Sequence, residues 1–146
     1  MKTINELIHE AYETGKSKGW HDPGMEKSIG DDIALMHSEL SEAFEEHRAG
    51  WLPTQIYYQT GVVVQPPLPG STDPQVFKVQ MLAEDMKKAG VTPDGKKPEG
   101  IPIELADVLI RVFDFCGKHG IDLEAAVLEK MAFNRTRPVR HGGKKL

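Results

Sequence analysis

Two pairs of acidic residues, each spaced three positions apart, are the side chains in this sequence best suited to chemistry. Glu39 and Glu42 form the first pair, and Glu104 and Asp107 form the second. Residues at positions i and i+3 of a helix lie on one face, one turn apart. Two such pairs on facing helices would bring four carboxylates together, and a divalent cation is the simplest way to relieve their repulsion. The spacing therefore predicts a metal site.

The segment 101–117 predicts the helix that carries the second pair. Its apolar side chains cover roughly two thirds of the circumference when plotted at about 100° per residue. The remainder is a narrow stripe of Glu104, Asp107, Arg111 and Asp114. We expect so apolar a helix to be buried nearly all round, with its carboxylates facing an interior cavity. Buried carboxylates are costly unless they are paired or bind a cation.

The ligand types indicate which metal and which chemistry to expect. A set of carboxylate oxygens, without a cysteine or histidine cluster, favours Mg²⁺ first and Mn²⁺ as a substitute. Mg²⁺ commonly coordinates phosphate, which predicts phosphoryl or nucleotidyl hydrolysis. A carboxylate that the metal does not fully occupy, Glu42 or Glu46, is expected to accept a proton from the attacking water. The alternative for the acids of residues 28–48 is a solvated helix surface.

Hydrophobic periodicity and capping residues predict an all-α fold. The predicted helices cover residues 3–18, 28–48, 101–117 and 122–135. Between the second and third of these lies a segment rich in proline and glycine, with a short hairpin expected within residues 56–64. A further helix is expected from the cap at Thr72-Asp73-Pro74 to Ala89. We expect a single domain over residues 1–146, with residues 136–146 as an irregular basic tail.

Composition limits the classes of protein to which the chain can belong. Its 146 residues have a net charge of −4, one cysteine and no apolar stretch long enough to span a membrane. The N-terminal segment lacks the apolar core of a signal peptide, so we expect a cytoplasmic protein. Residues 130–146 carry six basic and no acidic side chains, whereas the other 129 residues carry 12 basic and 22 acidic ones. A polyphosphate bridging metal ions and arginines would suit this asymmetry, and a solvated basic tail is the alternative.

Several residues are candidates for binding such a substrate. Lys130, Asn134 and Arg137 are spaced i, i+4 and i+7, so they line one face if the last helix extends that far. Lysine and arginine suit phosphate oxygens, and Arg140 lies on the tail that would fold over the ligand. Trp20 is a candidate to stack on a base, with a packing role as the alternative.

Residues 38–50 (SELSEAFEEHRAG) and 99–143 resemble the MazG-type all-α nucleoside triphosphate pyrophosphohydrolases, whose relatives include dCTP pyrophosphatases and dimeric dUTPases. The resemblance covers about half of the chain directly, and its most specific part is ELADVLIR with the downstream K-x-x-x-N-x-x-R. It implies a four-helix-bundle-like core in which Glu39, Glu42, Glu104 and Asp107 ligate Mg²⁺. It also implies that Lys130, Asn134 and nearby arginines hold a triphosphate that is cleaved to a nucleoside monophosphate and pyrophosphate.

The chain departs from the family pattern in two places. Many members have a further glutamate just before the first acidic pair, where this chain has Ser38, so the general base is not identified by the resemblance. The two pairs are also separated by 61 residues, which makes residues 51–100 an insertion expected to form a lid or an interface. Both the resemblance and the apolar side chains of Val108, Val112 and Phe115 predict a homodimer or homotetramer.

Two other classes of function are open at the level of sequence. A dimetal carboxylate bundle of redox type needs paired Glu-x-x-His motifs, and Glu6-x-x-His9 supplies one of them. A non-catalytic helical regulatory protein could bind nucleic acid through the basic tail. The acidic overall charge and the lack of a recognisable recognition helix argue against nucleic acid and against this second alternative.

Overall fold

A computed structural model of the chain describes residues 2–65, 75–90 and 95–139. Over these ranges the chain is mostly helical, which confirms the predicted all-α class with a short hairpin in the insertion. The elements in chain order are α1 (Ile4–Ser17), α2 (Ile29–Arg48), β1 (Tyr57–Gln65), β2 (Gln75–Leu82), α3 (Ala83–Lys88), β3 (Pro98–Glu99), α4 (Ile101–His119) and α5 (Leu123–Thr136). None of the helices in these ranges combines the length and apolarity needed to cross a bilayer.

The described residues pack as two compact units. The first contains the residues up to Asp32 and those from Ile110 onward, and the second is Ile33–Leu109. Helices α2 and α4 contribute residues to both. The prediction of one domain over residues 1–146 stays a prediction.

In the first unit, side-chain caps fix the beginnings of α1 and α5. Thr3 and Glu6 form a reciprocal capping box at the start of α1. Asp122 caps α5 by accepting the Ala125 N–H at 3.0 Å, as the sequence predicts. The same Asp122 oxygen accepts the Asn5 side-chain N–H at 3.2 Å, so one carboxylate both caps α5 and ties it to α1.

Close contact between α4 and α1 depends on a glycine within α4. A Cβ at Gly117 would lie 2.5 Å from the Tyr12 Cβ, which is far inside van der Waals contact. The sequence predicts that Gly117 and Gly120 end this helix; Gly117 instead lies within it and allows the close packing, and Gly120 is confirmed as the end. Helix α4 continues to His119 and ends at Gly120, whose φ of +66° suits a glycine C-cap.

In the second unit, a three-stranded antiparallel sheet has the order β2-β1-β3. The predicted helix from residue 72 to 89 is wrong over 75–82, which form β2, and only 83–88 are helical; residues 72–74 lie outside the described ranges. The hairpin expected within 56–64 is also misplaced, because β1 runs through the expected turn. An irregularity in pairing between Gln59 and Gly61 accommodates that break as a bulge.

Gly100 directs the chain from β3 into α4. Its φ is +111°, and an added Cβ would lie 2.5 Å from the Gln55 carbonyl oxygen. The Gly100 carbonyl accepts the N–H groups of Ile103 at 2.8 Å and Glu104 at 3.2 Å. This turn therefore places Glu104 in the first turn of α4, where the helix dipole favours a carboxylate.

Replacing Gly117 by alanine tests the contact between α4 and α1. We expect Gly117→Ala to destabilise the protein by about 1–3 kcal/mol, because the methyl group overlaps Tyr12. Gly30→Ala is the matched control in α2, where the nearest atom lies 3.5 Å from the added Cβ. It should be neutral or stabilising by up to about 1 kcal/mol. Urea unfolding measures both, and equal stabilities would contradict the packing role.

Candidate metal centre

Three of the four predicted metal ligands meet in the second unit. Glu39 and Glu42 on α2 and Glu104 on α4 each offer a carboxylate oxygen, and the three oxygens lie within 4.8 Å of one another. We call these residues the carboxylate cluster. The two acids on α2 share a face because they are three residues apart, and the Gly100 turn presents the third. The expected convergence of distant acids is confirmed for these three.

Burial makes this cluster unlike an ordinary acidic surface. Glu39 is 5% exposed and Glu104 is 4% exposed, whereas Glu42 is exposed. Carboxylates are rarely fully buried unless a partner compensates their charge. Two of the three carboxylates are therefore shielded from solvent, and the third is open to an incoming ligand.

The negative charges in and near the cluster act on one another. The pKa of Glu104 is raised, first because burial penalises its charged form and then because of the charge of Glu42. Asp107 and Glu39 add to the rise, and Lys97 opposes it. Asp107 is thus an electrostatic neighbour of Glu104, although it is not one of the three residues whose oxygens converge. Its role as a fourth ligand stays a prediction.

The donor set of the cluster fits a hard divalent cation. All three donors are carboxylate oxygens, which Mg²⁺ and Mn²⁺ prefer over softer ligands. Ligand oxygens of one octahedral Mg²⁺ are roughly 3.0 Å apart when adjacent and roughly 4.2 Å apart when opposite, so the three carboxylates would draw closer together on binding the ion. Positive charge at this position would also relieve the repulsion that raises the pKa of Glu104. The cluster can therefore hold a metal ion.

Helix α4 is less buried in the second unit than its composition predicts. Leu105 and Leu109 are about half exposed, whereas Glu104, in the first turn of the helix, is buried. The expectation of burial nearly all round is thus wrong for this part of α4 within one chain. Glu104 is buried in this part of α4 and Ile103, Ala106 and Val108 are half-buried. The carboxylates of Glu39 and Glu42 on α2 lie near that of Glu104.

A second group of polar side chains in this unit could be predicted from the sequence only in part. The Tyr57 hydroxyl oxygen lies 3.0 Å from Glu46 Oε1 and 3.0 Å from Glu99 Oε2. Tyr57 and Glu99 are paired residues on β1 and β3, and the Trp51 ring stacks on the Tyr57 ring at 4.3 Å. We call Glu46, Tyr57 and Glu99 the tyrosine clamp. Pairing of strands 42 residues apart has no local signal, so only Glu46 was found from sequence.

The predicted phosphate ligands lie on α5 and beyond it. Lys130 and Arg137 flank the Phe133 ring, with the lysine nitrogen 5.2 Å and the guanidinium carbon 5.9 Å from its centroid. Asn134 is exposed, and its carbonyl accepts the Arg137 N–H at 3.2 Å. Arg140 lies outside the described residues. Helix α5 ends at Thr136 and Arg137 has an extended backbone, so the expected extension of the helical face to Arg137 is wrong. Phosphate binding by these side chains stays a prediction.

Trp20 lines a polar cavity of about 210 Å³ in the first unit. Trp20 is 54% exposed, with the Lys27 ammonium 5.1 Å from the centroid of its ring. His21 and Asp114 also line the cavity, and their atoms Nε2 and Oδ1 are 2.7 Å apart. Gly15 leaves room for this pair, because a Cβ there would lie 2.8 Å from Asp114 Oδ1. Exposure leaves the Trp20 ring available for stacking, so its predicted role stays open.

Ser38 and Glu6 both form local hydrogen bonds. Ser38, in place of the further glutamate of the family pattern, donates its hydroxyl to the Leu35 carbonyl at 2.7 Å. It therefore adds no carboxylate to the cluster. Glu6, from the Glu-x-x-His pair, accepts the Thr3 N–H at 2.7 Å, and both Glu6 and His9 are exposed. Capping accounts for this glutamate, which leaves a dimetal redox site without support.

Comparisons with protein-family models, curated proteins and solved structures give no match to this chain.

Replacing Glu104 tests whether repulsion between the carboxylates destabilises the metal-free protein and whether a bound metal relieves it. We expect Glu104→Gln to raise the metal-free Tm at pH 8, by roughly 3–5 °C for each kcal/mol of repulsion removed. The pKa of Glu104 is raised in the folded state, so folding favours binding of a proton. The free energy of unfolding of the wild type therefore falls as the pH rises from the unfolded-state pKa through the folded-state pKa. The difference between variant and wild type should therefore shrink towards pH 5.

Addition of Mg²⁺ provides the second measurement for this variant. Mg²⁺ should raise the wild-type Tm at pH 8 and leave that of Glu104→Gln nearly unchanged. Glu45→Gln is the control, because Glu45 is exposed on α2, the helix of Glu39 and Glu42, and pairs with Arg48 at 2.9 Å. An equal response of all three proteins to Mg²⁺ would rule out Glu104 as a metal ligand.

Proposed function

We propose that this protein is a Mg²⁺-dependent nucleoside triphosphate pyrophosphohydrolase, which converts NTP or dNTP to the monophosphate and pyrophosphate in nucleotide-pool house-cleaning. The observation that carries the proposal is the convergence of Glu39, Glu42 and Glu104 within 4.8 Å, with two of the three buried. The resemblance of residues 38–50 and 99–143 to MazG-type enzymes supports the same activity. Mn²⁺ is the expected substitute metal.

The chain's own residues would contribute binding, orientation and proton transfer. The carboxylate cluster would hold Mg²⁺, with Asp107 as the expected fourth ligand. Bound Mg²⁺ would supply positive charge to the phosphate oxygens and to the attacking water. The exposed side chain of Glu42 marks the open side of the cluster, from which a triphosphate can approach. A carboxylate of α2, Glu42 or Glu46, would accept the proton that the water loses.

A product-resolved assay tests the proposed activity. Incubation with a panel of NTPs and dNTPs plus Mg²⁺ should release pyrophosphate and the monophosphate from at least one nucleotide, without inorganic phosphate as the first product. Glu104→Gln should lower kcat/KM at least about 100-fold because it removes a metal ligand. Glu45→Gln should match the wild type. Lack of turnover of every nucleotide, or full activity of Glu104→Gln, would refute the proposal.

We further propose that the protein works as a homodimer or homotetramer. Its buried apolar core among the described residues is small for a chain of this length, comprising Ile8, Ala43, Tyr57, Met86 and Cys116. Apolar side chains that are 46–58% exposed follow the acids of α2 and α4 at equal offsets. These side chains, which we call the apolar stripes, are Leu40 and Phe44 on α2 and Leu105 and Leu109 on α4. A second copy would cover them.

Substitution within the apolar stripes tests this assembly. Size-exclusion chromatography with light scattering should give a dimer or tetramer for the wild type. Leu109→Lys should shift the protein towards the monomer, because a lysine cannot be buried cheaply at the centre of an interface. Val139→Lys is the control, since Val139 is 88% exposed and lies off the apolar stripes. A monomeric wild type would contradict the proposal.

A further inference from the structure

Glu46 differs from the acids of the carboxylate cluster in how its two oxygens are used. Its position on α2 is one turn beyond Glu42 and on the same face, so it lies beside the cluster without belonging to it. One oxygen, Oε1, contacts the Tyr57 hydroxyl at 3.0 Å. The other, Oε2, is buried and has no hydrogen-bond partner among the described residues. Such an orphan acceptor needs an explanation, and a partner that arrives with the reaction is one.

Within the tyrosine clamp, Tyr57 contacts Glu46 through one oxygen and is itself restrained by Glu99 and Trp51. The phenol has a single proton, which it offers to Glu46 Oε1 or to Glu99 Oε2, each 3.0 Å away. Glu99 is anchored in β3 opposite Tyr57, and the Trp51 ring restrains the tyrosine ring by stacking on it. Glu46 is therefore oriented through Oε1 alone, while Oε2 keeps its lone pairs.

Tyr57 is suited to stay a neutral donor throughout this arrangement. Burial raises the pKa of its hydroxyl, and the hydrogen bonds and negative charges of Glu46 and Glu99 raise it further. A phenol that does not ionise cannot lose its contact with a carboxylate by becoming negatively charged. The clamp therefore keeps its donor over the whole range in which a nucleotide hydrolase works.

We propose that Glu46 Oε2 is the proton acceptor for the hydrolysis and that Tyr57 and Glu99 are positioning residues that fix Glu46 through Oε1. This inference rests on the proposed function. In the step, the water oxygen bonds to the α-phosphorus while one water proton moves to Glu46 Oε2. The bond from that phosphorus to the bridging oxygen breaks, and its electron pair leaves with pyrophosphate. Glu42 is the weaker candidate, because its oxygen belongs to the carboxylate cluster and would be engaged by the metal.

Steady-state kinetics on the full-length protein with Mg²⁺ and its best nucleotide separates these roles. Glu46→Gln keeps a side chain that can contact Tyr57 but cannot serve as a base. Its kcat should fall about 10²-fold to 10⁴-fold, while KM and the Mg²⁺ affinity stay within about twofold. Tyr57→Phe removes only the hydroxyl and should lower kcat about 10-fold to 100-fold, as expected for a positioning residue. Glu45→Gln is the matched control and should have wild-type kinetics.

Chemical rescue distinguishes a base from a structural carboxylate. Formate should restore part of the activity of Glu46→Ala, because it replaces the missing carboxylate, and it should not restore Tyr57→Phe or Glu104→Gln. If Tyr57→Phe does not fold, as judged by circular dichroism, Glu99→Gln tests the clamp in its place and should also lower kcat with KM unchanged.

The outcomes separate this inference from the proposed function. If Glu104→Gln abolishes turnover but Glu46→Gln keeps more than half of the wild-type kcat, the enzyme assignment stands and the base assignment is wrong. The base assignment also fails if folded Glu46→Ala, with wild-type Mg²⁺ affinity, gains nothing from formate. If the wild type itself hydrolyses no nucleotide, both proposals fall together, and the Mg²⁺ response of the Tm still reports on the metal site.

Discussion

The structure depends on holding like charges together where water cannot screen them. Glu39 and Glu104 are almost completely shielded, yet an oxygen of each lies within 4.8 Å of the other and of Glu42. Coulomb repulsion at this range is strong in a poorly hydrated setting, so the fold must supply compensation. Part of it comes from the first turn of α4, whose dipole favours Glu104, and part from the charge of Lys97. A bound cation would supply the rest of the compensating positive charge, which makes the carboxylate cluster a candidate catalytic site.

The insertion between the two acid-bearing helices contributes residues to the site from its first and last strands. Its first strand supplies Tyr57 and its last supplies Glu99, immediately before the glycine turn that sets the start of α4. The tyrosine clamp therefore joins Glu46, near the end of α2, to the residue that leads into α4. A lid or interface was the sequence expectation for residues 51–100. In the described part of the insertion, Tyr57 on β1 contacts Glu46 on α2, and the role of the insertion as a lid or an interface stays a prediction.

Sequence reasoning succeeded where the signal was local and failed where it depended on distant pairing. Glu39, Glu42 and Glu104 were identified because helical spacing places residues i and i+3 on one face, whatever the rest of the chain does. Residues 75–82 were misassigned because a proline cap signal near residue 74 favoured a helix, whereas pairing with β1 selects a strand. Tyr57 and Glu99 could not be paired before the register of β1 and β3 was known. Burial of α4 was overestimated because composition does not tell how many neighbours one chain can supply.

The two acid-bearing helices also repeat a short pattern of acidic and apolar residues. Glu39-Leu40-Ser41-Glu42-Ala43-Phe44 on α2 matches Glu104-Leu105-Ala106-Asp107-Val108-Leu109 on α4, with acids at the first and fourth positions and large apolar side chains at the second and sixth. On a helix these two sets are centred roughly 150° apart, so on both helices the apolar stripes lie nearly opposite the acids. A second copy that covers the apolar stripes would therefore leave the open side of the carboxylate cluster, marked by the exposed Glu42, accessible to a substrate. Metal binding and association would then use different faces of the same two helices.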